Sequence, residues 1–111
     1  MKIGILLTTS PEHQNTYSVY RLASAFVGLN HEVSVFLMDD GVLNGIVNRS
    51  RRKLFSGFEE LINKRVQVAL CAMSAESRGV QRENLLPGIE YSSQAELSRI
   101  MKDSDRFLSF G

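Results

Sequence analysis

The sequence predicts an α/β fold: a three-layer α/β/α sandwich around a five-stranded, mostly parallel sheet. Strand-like and helix-like segments alternate from one end of the 111 residues to the other. The strand-like segments are short, continuous apolar runs, which are typical of strands buried on both faces. The connections between segments are short, so the alternation implies right-handed crossovers with helices on both faces of the sheet.

The composition limits the protein to a few classes. At 111 residues, with 43% hydrophobic and 23% charged residues, the chain suits one globular domain over residues 1–111. The formal net charge of +1 gives no global attraction to nucleic acid or membrane. No signal peptide or membrane-spanning run is visible, and the single cysteine fits a reducing compartment. We therefore expect a cytoplasmic protein.

The first half of the chain carries clear helix and strand signals. Residues 3–7 form the first apolar run, and Ser10-Pro11-Glu12 is a helix-start signal. The helix that follows has an apolar face at helical spacing, made of Val19, Leu22, Ala23, Phe26 and Val27. Residues 33–38 are the second strand, and residues 42–47 suggest a short helix. A further helix is predicted from the apolar residues Leu54, Phe55, Phe58, Leu61 and Ile62.

The second half repeats the alternation. Residues 66–71 are a third strand, followed by a short helix with Ser74 as its N-cap and Gly79 as its stop. A turn at residues 87–88 leads to a brief strand over 89–91. Ser93 and Glu96 have the spacing of a capping box and open a helix. The residues of this helix predicted to face inward are Leu97, Ile100 and Met101, and residues 107–110 are the last strand.

Cys71 is the candidate nucleophile. It lies between the end of a buried strand and the start of a helix, where unpaired N–H groups and the helix dipole favour the thiolate. The N–H groups near Ser74 and Ala75 are placed to hold an anion, and Arg78 could turn back to stabilise the thiolate or an anionic sulfur donor. The alternatives are a buried, inert cysteine and a solvated surface arginine.

The other candidate site residues follow from the topology. In a parallel sheet every strand ends at the same edge, and ligands bind there. The loops after the strands begin at Thr8, Asp39 and Cys71. We therefore expect Thr8, Thr9 and Asp39 to border a pocket with Cys71 at its floor, partly accessible to solvent.

Several other chemistries are disfavoured by spacing. His13 and His31 lack the spacing of metal ligands, and no glycine-rich phosphate loop is present, so we predict no metal and no cofactor. Asp39 and Asp40 follow the second strand, where a turn and N-cap role is more typical than a metal site. The basic run of Arg49, Arg51, Arg52 and Lys53 has no interleaved aromatic residue, which favours a solvated loop over nucleic-acid binding.

Four motifs in order resemble the DsrE/DsrF-like (TusD-like) sulfur-relay family. They are residues 1–9, residues 35–42, residues 70–80 around Cys71, and residues 104–110. The resemblance implies sulfane sulfur held as a persulfide on Cys71, in a homotrimer or homohexamer. Some relatives lack this cysteine and serve as structural subunits, and others carry a second one. This chain has no second cysteine. Relay members usually pass sulfur to another protein, so the implied partners are sulfur donor and acceptor proteins.

Two interpretations of different class therefore stand. The first is a sulfur carrier that loads and unloads Cys71; whether it counts as an enzyme stays open. The second is a non-catalytic oligomeric binding module with an inert cysteine. A nucleotide-binding, flavodoxin-like domain is a third interpretation, disfavoured by the missing phosphate loop. For assembly, we expect Phe55, Phe58 and the region of Met73 to form an exposed apolar patch that a neighbouring subunit covers.

Overall fold

The computed structural model describes residues 1–47 and 57–111. Five strands form one sheet, with the order β4-β3-β2-β1-β5 and every neighbouring pair parallel. The strands are β1 (Lys2–Leu7), β2 (Glu32–Leu37), β3 (Gln67–Cys71), β4 (Glu90–Ser92) and β5 (Arg106–Phe110). The fold class expected from the alternating pattern is confirmed, and the sheet is parallel throughout.

Helices cover both faces of the sheet. The helices are α1 (Gln14–Gly28), α2 (Phe58–Asn63), α3 (Ala72–Ser77) and α4 (Gln94–Asp103), with 3₁₀ helices at Asp39–Gly45 and Arg82–Asn84. α1 and α2 pack on one face, where Val19 and Phe58 join the larger apolar core. α4 packs on the other face. Within residues 1–47 and 57–111, none of the helices has the length and apolar character needed to span a bilayer.

α1 and the helix predicted over residues 42–47 begin at residues other than those predicted. α1 begins at Gln14, with His13 at its N-cap, because the preceding Ser-Pro-Glu segment forms a turn in which the Ser10 carbonyl accepts hydrogen bonds from the His13 amide and the Thr16 hydroxyl. The helix predicted over residues 42–47 is a 3₁₀ helix that begins at Asp39, and the Gly41 amide bonds the Met38 carbonyl. We call Asp39–Gly45 the 3₁₀ segment.

Four of the predicted apolar positions differ from expectation or lie outside the described residues. Phe58 is fully buried between α2 and the sheet, so its place in an exposed patch was wrong. Met101 was predicted to face inward but is 51% exposed, because Ile100 takes the inward position of that turn. Met73 is exposed as expected. Leu54, Phe55 and the basic run of Arg49, Arg51, Arg52 and Lys53 lie outside the described residues.

Candidate functional site

The carboxyl edge of the sheet brings several of the predicted residues together. Backbone bonds run from the Met38 amide to the Leu7 carbonyl (3.1 Å) and from the Thr8 amide to the Phe110 carbonyl (3.0 Å), so the ends of β2, β1 and β5 meet. The 3₁₀ segment reaches α3 through the Asp39 amide, which donates to the Ser74 hydroxyl at 3.0 Å. The predicted convergence of loops at this edge is present for these segments.

Cys71 is the last residue of β3 and the N-cap of α3. Its side chain lies on the α4 face, in an apolar cluster with Phe36, Ala69 and Ile100. Only 2% of the residue is exposed in the isolated chain. The expectation of a partly accessible sulfur is therefore wrong for a single chain. The reason is that the cluster is covered by further half-buried side chains, namely Leu6, Met38, Leu97 and Phe107.

Ser74 does not cap α3, as the sequence suggested, but lies in its first turn. The helix begins at Ala72, directly after the strand, and Cys71 takes the capping position without a side-chain cap bond. The Ser74 hydroxyl instead accepts the hydrogen bond from the Asp39 amide. Ser74 is buried, so its hydroxyl is a link between α3 and the 3₁₀ segment rather than a helix cap.

The earlier start of α3 also changes which amides are free. With Cys71 at the N-cap, the first intrahelical bond of an α-helix runs from the amide of the fourth residue, Ala75, to the N-cap carbonyl. The amides of Ala72, Met73 and Ser74 are then the free first-turn donors. Ala75 is fully buried in the larger core. Its contribution is apolar packing, not the anion contact expected from the sequence.

Arg78 is held at the end of α3 by two contacts. Its Nε lies 2.8 Å from Asp40 Oδ1, and its Nη1 donates to the Ser74 carbonyl at 3.1 Å. The guanidinium charge is thus shared with a carboxylate. Asp40 and Asp39 lie in the first turn of the 3₁₀ segment, whose N-cap is Met38, so the predicted turn role holds and the N-cap role was wrong. Together these contacts join α3 to the 3₁₀ segment a second time.

Thr8 and Thr9 lie on the far side of β2 from Cys71, since β2 separates β1 from β3 in the sheet. The Thr8 hydroxyl donates to the Phe110 carbonyl at 3.3 Å. The Thr9 carbonyl accepts from Asn44 Nδ2 at 2.9 Å. The two threonines therefore belong to the β1–β5 side of the edge, apart from the contacts around Ser74 and Arg78.

Asn44 was missed by sequence reasoning, although it lies at the centre of this edge. It is 1% exposed, and its amide also donates to the Gly41 carbonyl at 3.0 Å. A buried amide that ties two backbone carbonyls together fixes the path of the 3₁₀ segment. Its signal in the sequence was one polar residue inside an apolar stretch, Val42-Leu43-Asn44-Gly45-Ile46.

Gly41 sets how closely the 3₁₀ segment approaches the sheet. A Cβ atom built on Gly41 would overlap the carbonyl oxygen of Leu7, which is backbone and cannot move aside. The 3₁₀ segment therefore packs directly on the end of β1 only because residue 41 has no side chain.

Tyr91 lies on β4, beside β3, and its pKa is shifted by burial and by nearby charges. In the β3–β4 register Tyr91 is opposite Leu70, next to Cys71. Burial raises the pKa of the Tyr91 phenol above its usual value, the negative charge of Glu76 and its hydrogen bond to the phenol raise this pKa further, and the positive charge of Arg82 lowers it in part. The phenol lies 3.4 Å from Glu76 Oε1, and the Arg82 guanidinium lies 4.7 Å from the ring centroid.

The Ser74 link gives a first testable prediction. Replacing Ser74 with alanine leaves the partly buried Asp39 amide without its acceptor, which should cost about 1–2 kcal/mol of unfolding free energy. Urea denaturation measures this cost. The matched control is Ser77→Ala in the same helix, where the hydroxyl only bonds back to the Met73 carbonyl at an exposed position, so we expect little change. Equal effects at the two serines would contradict the link.

Comparison with known proteins shows which family the chain belongs to. The model of the DsrE/DsrF-like family matches residues 1–110. The uncharacterized protein MK0008 of Methanopyrus kandleri is 25% identical over 97% of this chain and 93% of its own length. The uncharacterized protein MJ0989 of Methanocaldococcus jannaschii is 24% identical over 99% of this chain and 100% of its own length. The crystal structure of the ychN protein from E. coli superposes with a TM-score of 0.85, at 25% identity over 99% of both chains.

Proposed function

We propose, because this chain belongs to the DsrE/DsrF-like family, that it is a sulfur carrier that holds sulfane sulfur as a persulfide on Cys71. The family suggests a sulfur-relay role. The observation that supports the finer proposal is the position of Cys71, the only cysteine of the chain, where β3 ends and α3 begins at the carboxyl edge. Cys71 is the N-cap residue of α3, adjacent in sequence to the free first-turn amides of that helix.

The proposed chemistry is a sulfur transfer without net oxidation. The Cys71 thiolate attacks the outer sulfur of a donor persulfide, R–S–SH. A sulfur–sulfur bond forms on Cys71, the sulfur–sulfur bond of the donor breaks, and the donor leaves as the thiolate R–S⁻. In the second step an acceptor thiolate attacks the same outer sulfur, and Cys71 leaves as its thiolate. Each step exchanges one sulfur–sulfur bond for another, so no oxidant or metal is consumed.

The burial of Cys71 favours a second candidate function. A cysteine residue that is 2% exposed behaves as a small apolar core residue unless the chain around it opens. The alternative is therefore a non-catalytic oligomeric binding module of the same fold with an inert cysteine. Intact mass after incubation with a low-molecular-weight persulfide separates the two: a carrier gains one sulfur atom per chain, and an inert module gains none.

The proposal also covers partners and place of action. The partners are a sulfur donor protein and a sulfur acceptor protein, since the chain lacks a second cysteine to resolve the persulfide internally. A free thiol that exchanges sulfur works in a reducing compartment, and we therefore assign the chain to the cytoplasm. We propose neither a nucleic acid nor a membrane as a partner.

Assembly gives the second prediction. Met73, two residues after Cys71, is 74% exposed although its side chain is large and apolar, and an exposed apolar side chain of this kind is commonly covered by a neighbouring subunit. We expect light scattering to give a homotrimer or a homohexamer, that is, three or six times the chain mass of 12.5 kDa. Met73→Lys should weaken the assembly, whereas Met101→Lys, at another exposed methionine, should not. A single-chain mass at micromolar concentrations would contradict the assembly proposal.

A further inference from the structure

Three residues line up across the sheet on the α4 face, at its carboxyl edge. In the β3–β4 register Ser92 is opposite Cys71. In the β2–β3 register Leu37 is opposite Leu70, so the next residue, Met38, follows at the level of Cys71. Met38 packs against the apolar cluster that contains Cys71. Cys71 is therefore flanked by the end of β4 on one side and by Met38, after the end of β2, on the other.

A side-chain hydrogen bond crosses this row. Gln94, the first residue of α4, donates from Nε2 to the Sδ atom of Met38 at 3.6 Å. Gln94 follows β4 and Met38 follows β2, while β3 lies between those two strands. Adjacent strands are about 4.8 Å apart, so the two residues bridge about 10 Å from β4 to β2. β3, with Cys71 as its last residue, lies between the two strands that this bridge joins.

We propose that Gln94 is a gate for Cys71: its hydrogen bond to Met38 closes the way from solvent to the sulfur, and reagents reach Cys71 when this bond opens. The proposal rests on the proposed function, since it assigns the route by which sulfur enters and leaves. It also accounts for a reactive cysteine that is buried in the closed chain. Gln94 acts through access and does not touch the reacting atoms.

The bond is suited to opening. A thioether sulfur is a weak hydrogen-bond acceptor, so little is lost when the amide turns to water. Gln94 is exposed, and an exposed side chain changes rotamer on the picosecond to nanosecond scale. The half-buried apolar side chains of Met38 and Leu97 pack against the cluster that contains Cys71, so a route opened beside Gln94 would run past them. Such a route suits a slender thiol or persulfide rather than a folded surface.

The test measures alkylation of Cys71 by iodoacetamide, a small neutral reagent, in the folded, assembled protein without denaturant. Gln94→Ala removes the donor, and Met38→Leu removes the sulfur acceptor while keeping an apolar side chain of similar size. Each substitution should raise the rate about three- to tenfold, the range expected for one weak hydrogen bond. The double variant should be no faster than the faster single variant, because both remove the same bond. Gln14→Ala is the matched control, since Gln14 is the exposed first residue of α1.

Two outcomes would overturn the gate. One is a wild-type alkylation rate in both single variants. The other is a rate increase that follows the loss of unfolding free energy in urea, because the reagent then enters through global unfolding. Failure of the gate is distinguishable from failure of the proposed function. If the variants alkylate at the wild-type rate but still gain sulfur from a persulfide, only the gate fails; if they alkylate faster and no protein gains sulfur, only the carrier function fails.

Discussion

Replacing Cys71 with serine should abolish sulfur loading completely. A hydroxyl cannot hold sulfane sulfur as a persulfide, and the chain has no other thiol to take the place of Cys71. The readout is intact mass after incubation with a low-molecular-weight persulfide, which should show one added sulfur atom in the wild type and none in the variant.

The controls for this experiment follow from the burial of the site. A serine hydroxyl among Phe36, Ala69 and Ile100 costs about 1–3 kcal/mol, so Cys71→Ser should be less stable than the wild type but folded. Cys71→Ala avoids the buried hydroxyl and should be equally inactive. Sulfur gained by either variant would show that the chemistry lies elsewhere, and the carrier proposal would then fail.

Replacing Gly41 with alanine should be the most damaging single-methyl change at the carboxyl edge. The new Cβ meets the Leu7 carbonyl oxygen and the backbone beyond it, so the 3₁₀ segment has to move away from β1. We expect a loss of about 2–3 kcal/mol in unfolding free energy, measured by urea denaturation. The displacement also disturbs the Asn44 amide, which bonds the Gly41 carbonyl.

The chain offers a matched control for this substitution. Gly28 is the last residue of α1, and a Cβ placed there has no neighbouring atom within 4 Å. Gly28→Ala should leave the stability unchanged or raise it by up to about 1 kcal/mol, because alanine favours the helix. A Gly41→Ala protein as stable as the Gly28→Ala protein would show that the 3₁₀ segment adapts without strain.

The layout of the fold was predictable because buried parallel strands leave a simple pattern. β1, β2 and β3 are runs of apolar residues with few exceptions, and each was placed within one or two residues of its observed bounds. The end of α3 near Gly79 was also predictable, because glycine commonly follows a helix in the left-handed conformation. Gly79 has a positive φ of 70° just after the end of α3. Ser93 is the N-cap of α4 as predicted, with its hydroxyl accepting from the Ala95 amide, but the capping box expected from its spacing with Glu96 is replaced by a Glu96–Arg99 ion pair.

The site was less predictable because its contacts join residues far apart in the chain. Ser74 has the local character of a cap, yet its hydroxyl bonds an amide 35 residues away, and local pattern carries no information about that partner. The same holds for Arg78 with Asp40, and for Gln94 with Met38. Side-chain pairing across strands depends on strand order, which alternation of segments does not determine.

The pairing of the first strand with the last one has a consequence for synthesis of the chain. One edge of β1 pairs with β2 and the other edge pairs with β5. At the two ends of the pairing with β5, the Asp105 amide donates to the Lys2 carbonyl and the Thr8 amide donates to the Phe110 carbonyl. During synthesis on the ribosome, one edge of β1 therefore stays unpaired until β5 has been made. A product truncated before residue 106 keeps that edge, whose free N–H and C=O groups are a template for pairing with another nascent chain. Pairing with β5 therefore moves the open edge of the sheet from β1 to β5.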